Sequence, residues 1–368
     1  MKPRILQIVS DPQGGIRKHI HDILHNLGED FDFYYISSSR GDARYEREKT
    51  ELENTVHILN LDIKKPPHPS DIANMARIIR FMAKHHIDIV HGHGAKGGLY
   101  ARVCGKITGK KVVYTPHGGA VHSMFGKTED IIYRITEAAL AHVTDRIIFE
   151  SVYTKNAYIK RFGAPRCPSS VNHNGIASHE PDRTEIKQPG KSPLKIGFFG
   201  ILRNEKGPDI LLTAGRELYE LGMPIEVHFH GHGPLERTLK EQVEELGLGT
   251  KIRFHGEIDD TAHAMEEMDL IVIPSRFESF GYVALEAMAL RISVIAADTG
   301  GLPEVLPSKE FLFEANDPKA CAEKILAFTN QSQQVREENI VYGLKHVRAR
   351  FSLEGMLEGV RNAYKDIS

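Results

Sequence analysis

The chain predicts an α/β fold of two doubly wound domains that face each other across a cleft. Three observations carry this. Apolar runs of strand length alternate with amphipathic stretches of helical period along the chain. A segment from His179 to Ser192, rich in Pro, Lys and Glu and poor in apolar residues, interrupts the alternation, and a new cycle of strands and helices follows it. The length of 368 residues exceeds what one ordinary hydrophobic core holds and suits two. The expected division is 1–178, 179–350 and a closing helix over 351–368 that packs back on the first domain.

In the first half, Arg4 to Ser10 reads as a strand, and Gly14 and Gly15 open an amphipathic helix after it. A strand, glycine turn and helix place backbone N–H groups and a helix N-terminus where an anion can bind, although a glycine pair there is also ordinary turn chemistry. Phe31 to Ser37 is a second strand, Arg40 to Asn54 a charged mobile helix or loop, and Val56 to Asn60 a third strand. Ser70 starts a helix running to His85, with Ile72, Met75, Ala76, Ile79 and Met82 on one face. Ile87 to His91 delivers HGHGAKGG to a loop. His91, His93 and Lys96 there read as the polar rim of a cleft, because no third metal ligand lies at a recognisable spacing. Lys111 to Thr115 ends in PHGG, so His117 lies at a strand's carboxyl end, placed to shuttle a proton or donate a hydrogen bond. A helix over Thr128 to His142, a strand over Arg146 to Glu150 and a short helix from Ser151 complete this half.

The second half begins with the strand Leu194 to Gly200 and the turn ILRNEKGPD, which leads into a helix over Ile210 to Leu221. Arg203 and Lys206 sit in that turn, where point charge and helix N–H groups converge as a phosphate requires. Ile225 to Phe229 ends in HGHGP, and Ile252 to His255 ends in GEI. The stretch IVIPSRFESFGYVALEAMA (271–289) reads as a buried strand, a polar turn and a helix, with Glu278 in the turn and Glu286 on the helix. Ligands of open α/β sheets bind outside the carboxyl ends of strands, where both acids fall. A last strand, Ile292 to Ala296, precedes the glycine turn DTGGLPEVL, and Phe351 to Ile367 is an amphipathic closing helix.

Composition is that of a soluble globular protein, with 41% hydrophobic and 26% charged residues. Three dispersed cysteines suggest neither disulfides nor a zinc site and fit a reducing cytoplasm. No segment reaches the length of a membrane span. Residues 1–175 carry a net charge of +7 and the remainder −9. A basic first half suits an anionic partner such as a membrane surface or phosphorylated lipid, and equally suits scattered solvated charge. Nothing points to nucleic acid.

The motifs RNEKG (203–207), HGHGP (230–234), PSRFESFGYVALEAMA (274–289) and TGGLPEVL (299–306), in this order and spacing, resemble the nucleotide-sugar half of family 4 retaining glycosyltransferases of GT-B fold. HGHGAKGGLYARVCGK and VVYTPHGG resemble members that build bacterial surface polysaccharides. The resemblance implies two Rossmann-like domains, the first for acceptor and the second for a nucleotide-sugar donor, UDP- or GDP-linked, with no metal required. It implies that Glu286 holds the donor ribose and Glu278 the donor sugar, while Ser279, Phe280, Gly281 and Tyr282 line sugar and diphosphate with backbone N–H groups. Arg203 and Lys206 match the pair that neutralises the diphosphate, Gly15, after Gly14, the glycine approaching it from the first domain, and His117 a histidine near the sugar. Glu257 and Ile258 match the stretch that frames the base. His230 and His232 depart from the Gly-Asp or Gly-Glu pattern of many relatives.

The expected activity is transfer of a hexose to a lipid-linked or saccharide acceptor, in the cytoplasm or peripherally on the inner face of the cell membrane, with the stretch Val121 to Lys127 as a candidate contact. A sugar-nucleotide epimerase of the same fold and a non-catalytic nucleotide-binding partner are the alternatives. A paired-carboxylate hydrolase is disfavoured, because Glu278 and Glu286 sit on one turn and helix rather than across a bond.

Overall fold

Strands such as Ile5–Val9, Ile89–His93 and Leu270–Ile273 are buried along their whole length. Such runs, covered on both faces, are the signature of parallel sheets flanked by helices. The computed structural model of the protein describes residues 2–38, 43–64, 67–119, 121, 127–177 and 193–368. Its contacts divide the chain into two units, Met1–Asn174 with Leu353–Ser368, and Gly175–Ser352. The expected linker 179–192 and the boundary at 178 lie outside the described residues.

The first unit runs β1 (Arg4–Val9), α1 (Gly14–Asn26), β2 (Asp32–Ser38), α2 (Ala43–Leu52), β3 (His57–Leu61), α3 (Ser70–Lys84), β4 (Ile89–His93), α4 (Gly94–Thr108), β5 (Lys111–Thr115), α5 (Lys127–Leu140), β6 (Arg146–Phe149), α6 (Val152–Phe162) and β7 (Ser169–Val171). Its sheet has the order β3-β2-β1-β4-β5-β6-β7, with every pair parallel. The second unit runs β8 (Leu194–Phe199), α7 (Pro208–Glu220), β9 (Ile225–His230), α8 (Glu236–Glu245), β10 (Ile252–Gly256), α9 (Thr261–Glu266), β11 (Leu270–Ile273), α10 (Tyr282–Ala289), β12 (Ser293–Ala297), α11 (Leu302–Val305), β13 (Leu312–Phe313), α12 (Pro318–Thr329) and α13 (Gln333–Arg350). Its sheet is β10-β9-β8-β11-β12-β13. Both sheets are doubly wound, as expected, and each is sandwiched between its own helices. The short β7 and β13 and the helices α9, α12 and α13 have no counterpart in the sequence reading.

The HGHGAKGG stretch is not a polar rim. His91 and His93 are fully buried, and Lys96 is buried against Asp71 at 2.9 Å and donates to the Lys64 carbonyl at 2.6 Å. Its glycines serve packing instead: a Cβ on Gly97 would lie 2.5 Å from the Ile8 carbonyl oxygen, so α4 can approach β1 only without side chains there.

The last helix, α14 (Leu353–Lys365), belongs to the first unit and buries Met356, Leu357, Val360, Ala363 and Tyr364. Its register is fixed by polar contacts as well as by that apolar face. Asn172 donates to the Met356 carbonyl at 2.9 Å, and Arg361 pairs with Asp30 at 2.7 Å. At the core, the Tyr364 hydroxyl accepts from Gln7 Nε2 at 2.7 Å and lies 2.7 Å from His91 Nδ1. His91 in turn bonds Thr115 through Nε2 at 2.9 Å. Burial, added to by neighbouring imidazoles, holds His91 and His93 well below the ordinary histidine range and His19 at about 3.

These imidazoles stay neutral in the folded chain while their unfolded counterparts take up protons below about 6.5. Their stabilising effect is complete above that pH and is lost as pH falls below it, at up to about 1.4 kcal/mol per pH unit for each such group. We therefore expect the urea midpoint to drop between pH 7 and pH 5; an unchanged midpoint would contradict neutral burial.

Candidate active site

In the first unit, β5 ends at Thr115, and the chain turns so that His117 takes a positive φ of 49°, an unusual conformation for a residue with a side chain. His117 is buried, with Nδ1 2.8 Å from Glu150 Oε2 and Nε2 3.1 Å from His93 Nδ1. His93 Nε2 lies 2.7 Å from Gln7 Oε1, and Asn174 donates to Glu150 at 3.2 Å. Burial pushes the Glu150 carboxyl up, but His117, His19 and Asn174 together outweigh it and leave the group below its ordinary range. His19, from α1, packs edge-on over His93 and His117 with ring centroids 5.7 and 5.3 Å away. One nitrogen each of His19, His93 and His117 falls within 4.8 Å of the others. Sequence spacing could not show this, because the three come from α1, β4 and the loop after β5. Gly14 and Gly15, both exposed, start α1, whose cap residue Gln13 makes no side-chain cap and whose first turn holds no acid. That helix start remains suited to an anion.

In the second unit, the turn after β8 carries Arg203, Asn204, Glu205 and Lys206. Gly207 takes φ 64°, and a Cβ there would lie 2.1 Å from the Pro274 carbonyl oxygen, so this turn seats directly on the end of β11. Arg276 locks it in place. Its guanidinium grips Asp209 with two bonds of 2.8 and 2.6 Å and donates to the Asn204 carbonyl at 2.9 Å, while its own N–H donates to the Glu205 carbonyl at 2.9 Å. The hydrogen bonds from Arg276, with its charge, carry the Asp209 carboxyl below its ordinary range against burial, and raise Arg276 in return. The sequence alone assigns Arg276 no role. Its position two residues before Glu278 was the available signal.

The same packing places Lys206 Nζ 2.7 Å from Glu278 Oε2. Arg203 is half-exposed, its Nε 3.8 Å from Glu205. The Glu278 turn rests on the TGG turn: the Gly301 N–H donates to the Glu278 carbonyl at 2.9 Å, and a Cβ on Gly300, at φ 62°, would fall 1.8 Å from that oxygen. Gly281 then caps α10 at φ 122°, with Phe280 buried, Ser279 and Tyr282 half-buried and Glu286 half-buried on the helix. Glu257 is exposed, and Ile258 is partly buried against one of the two core clusters of this unit. His230 is buried, and His232 is exposed 4.0 Å from Glu257. The structure thus joins Arg203, Lys206, Glu278 and the start of α10 in one unit, and His117 with Glu150 and two further histidines in the other.

The chain matches the family model described as Glycosyltransferase Family 4 over residues 13–180 and that described as Glycosyl transferases group 1 over residues 181–345. It is 24% identical to a D-inositol 3-phosphate glycosyltransferase of Corynebacterium diphtheriae, over 97% of this chain and 91% of that one. It is 25% identical to the UDP-Gal:alpha-D-GlcNAc-diphosphoundecaprenol alpha-1,3-galactosyltransferase of Escherichia coli, over 74% and 72% of the two chains. Among solved structures, Anabaena Alr3699/HepE in complex with UDP superimposes with a TM-score of 0.78 at 20% identity, over the full length of both chains. Two doubly wound parallel sheets and adjoining matches to both models make the chain a member of the group 1 and family 4 glycosyltransferases, with the GT-B fold.

Proposed function

We infer that the protein is a retaining transferase that moves a hexose from a nucleotide diphosphate, UDP- or GDP-linked, to a lipid-linked or saccharide acceptor in bacterial surface glycan assembly. The observation that carries this reading is the Lys206–Glu278 pair at 2.7 Å beside Arg203, on turns clamped together by Arg276. Without donor, the ammonium of Lys206 is balanced by Glu278. A diphosphate brings competing negative charge to Lys206 and Arg203, which frees the Glu278 carboxylate to accept from sugar hydroxyls. One rearrangement thus accounts for both roles.

In the reaction, the bond from the anomeric carbon to the β-phosphate oxygen breaks, and the acceptor hydroxyl oxygen bonds to that carbon on the same face. Its proton passes to the departing phosphate. Charge accumulating on that phosphate is met by Arg203, Lys206 and the N–H groups opening α10, so the transfer uses no metal. Glu286 holds the ribose, Glu257 and Ile258 frame the base, and the N–H groups of Ser279, Phe280, Gly281 and Tyr282 line sugar and diphosphate. The first unit contributes Gly14 and Gly15 at an open helix start and His117, oriented by Glu150, near the sugar. That Anabaena HepE was crystallised with UDP-glucose supports a nucleotide-sugar donor, and the name of the E. coli relative supports a lipid-linked acceptor.

A lipid-linked acceptor requires approach to a membrane. No helix among the described residues is long and apolar enough to cross one. α5 does expose Ile131, Ile132 and Ile135, 52–66% accessible, and Ile131 and Ile135 share a face. Most of the Val121 to Lys127 stretch lies outside the described residues. We assign the α5 face to a peripheral lipid contact.

Four outcomes follow from this reading. In a screen of nucleotide sugars by thermal shift, one donor stabilises the protein, and product NMR shows the donor's anomeric configuration kept; donor consumed without acceptor would instead establish an epimerase, and no response to any nucleotide a binding partner of another kind. Arg203→Ala lowers kcat by about 10²- to 10³-fold, whereas Glu286→Ala chiefly weakens nucleotide binding, by about 10-fold or more. Arg276→Ala weakens donor binding with little change in overall fold, and Arg276→Lys fails to restore it because an ammonium lacks the planar fork. Flotation with anionic liposomes should be reduced in the Ile131→Glu/Ile135→Glu double variant with donor binding intact; equal flotation would remove α5 from the membrane contact.

A further inference from the structure

We propose that His228, His230 and His255 form a binding site for one divalent transition-metal ion at the edge of the second sheet, where it staples β10 to β9. His228 and His230 alternate along β9 and so share a face. His255 reaches the same place because the pairing of β10 with β9 slips between Phe254 and Gly256, and the extra residue of such a bulge is free to aim its side chain anew. His228 Nδ1 and His255 Nε2 lie 2.9 Å apart, with the two rings nearly parallel and stacked at an interplanar angle of 7°. One nitrogen of each of the three falls within 4.8 Å of the others.

His230 is the telling member. It is 5% exposed, and neither ring nitrogen has a hydrogen-bond partner. Its ring is sandwiched between Phe199 and His255, with centroids 4.4 and 4.3 Å away, contacts that leave both lone-pair directions unused. Turning this ring about its Cβ–Cγ bond to aim a nitrogen at the other two breaks no hydrogen bond. Tetrahedral zinc, with Zn–N bonds of about 2.0–2.1 Å, sets ligand nitrogens roughly 3.3 Å apart, so His228 and His255 need separate by only a few tenths of an ångström.

The surroundings favour a ligand role. Burial lowers the pKa of all three imidazoles, with His255 adding to the effect on His230, which is brought to about 3. They are therefore neutral, the form that binds metal. Glu226 Oε2 lies 3.4 Å from His228 Nε2, and the same carboxylate is 3.5 Å from Arg253, so a carboxylate stands behind His228 where a small shift would let it take the Nε2 proton and leave Nδ1 for the metal. His255 is exposed, giving an entry path and a fourth position for water. The trio His19, His93 and His117 lacks this freedom, because both nitrogens of His93 and of His117 are already hydrogen-bonded. The metal proposed here is structural and independent of the transfer chemistry; it stiffens the turn at Glu257 and Ile258.

The test uses the full chain, free of any histidine tag and stripped with chelator, titrated with Zn²⁺ by calorimetry and with Co²⁺ by visible absorption. One ion per chain is expected, with the intense d–d bands of a tetrahedral Co²⁺ site. His255→Ala, an exposed position whose folding is checked by circular dichroism, should weaken binding at least about 10-fold, and Glu226→Gln by about 10-fold. His19→Ala, a change in the other histidine trio that leaves the hydrogen-bond line of His93 and His117 intact and whose folding is checked in the same way, should bind as the parent does. Absence of Zn²⁺ binding, undiminished binding in folded His255→Ala, or binding lost only in folded His19→Ala would each overturn the proposal and leave the three rings as an aromatic stack.

Discussion

The first unit depends on one unbroken line of buried hydrogen bonds, from Thr115 through His91, Tyr364, Gln7, His93 and His117 to Glu150. Its members come from β1, β4, β5, the loops after β5 and β6, and α14, so it ties the last helix to the strand ends that carry the candidate chemistry. A buried polar network of this kind tolerates no missing member, since each lost partner strands another group in a low-dielectric interior. The donors and acceptors also fix one another. With Gln7 offering Oε1 to His93 and Nε2 to Tyr364, His93 must donate from Nε2 and accept at Nδ1. His117 Nε2 then faces the His93 acceptor, and its Nδ1 lies 2.8 Å from the Glu150 carboxylate. Tyr364, on the last helix, thereby helps orient His117 at the far end of the line.

The second unit solves a different problem. Its charged side chains lie on turns whose backbones touch, and Gly207 and Gly300 permit contact distances that any Cβ would forbid. Arg276 then converts that proximity into rigidity, because a planar guanidinium can bond Asp209 and the Asn204 carbonyl at once. Lys206 and Glu278 are left facing each other, neutral as a pair and open to exchange for a ligand's charge. Rigid support beneath and a replaceable ion pair above is what electrostatic stabilisation of a leaving group demands, since the dipoles must be in place before the charge appears.

Much of this was legible in the sequence. Buried strands such as Ile271–Ile273 announce themselves as apolar runs, and turns with Gly, Arg and Glu at their ends mark the sites, because both signals are local. The motifs around Arg203 and Glu278 likewise lie within single turns, and Glu286 sits on the helix that follows. What escaped detection is non-local. HGHGAKGG looked like a rim, yet His91 and His93 lie on the interior strand β4 and are satisfied by Gln7, Thr115 and Tyr364 from distant parts of the chain. α13 was passed over because its buried residues, Ile340, Gly343, Leu344 and Val347, form a short row within a strongly charged helix.

The two histidine clusters show why residue type alone does not decide chemistry. Each has three imidazoles within 4.8 Å, and in each burial keeps members neutral. They differ in what surrounds the lone pairs. In the first unit, Glu150 and Gln7 close both ends of the His117–His93 pair, which makes it a positioned hydrogen-bonding group. In the second, Phe199 covers the ring of His230 and offers its nitrogens nothing. The unpartnered ring of His230, its neighbour His228 on the same strand and the exposed His255 brought in by the bulge of β10 are the arrangement that the proposed cation site would use.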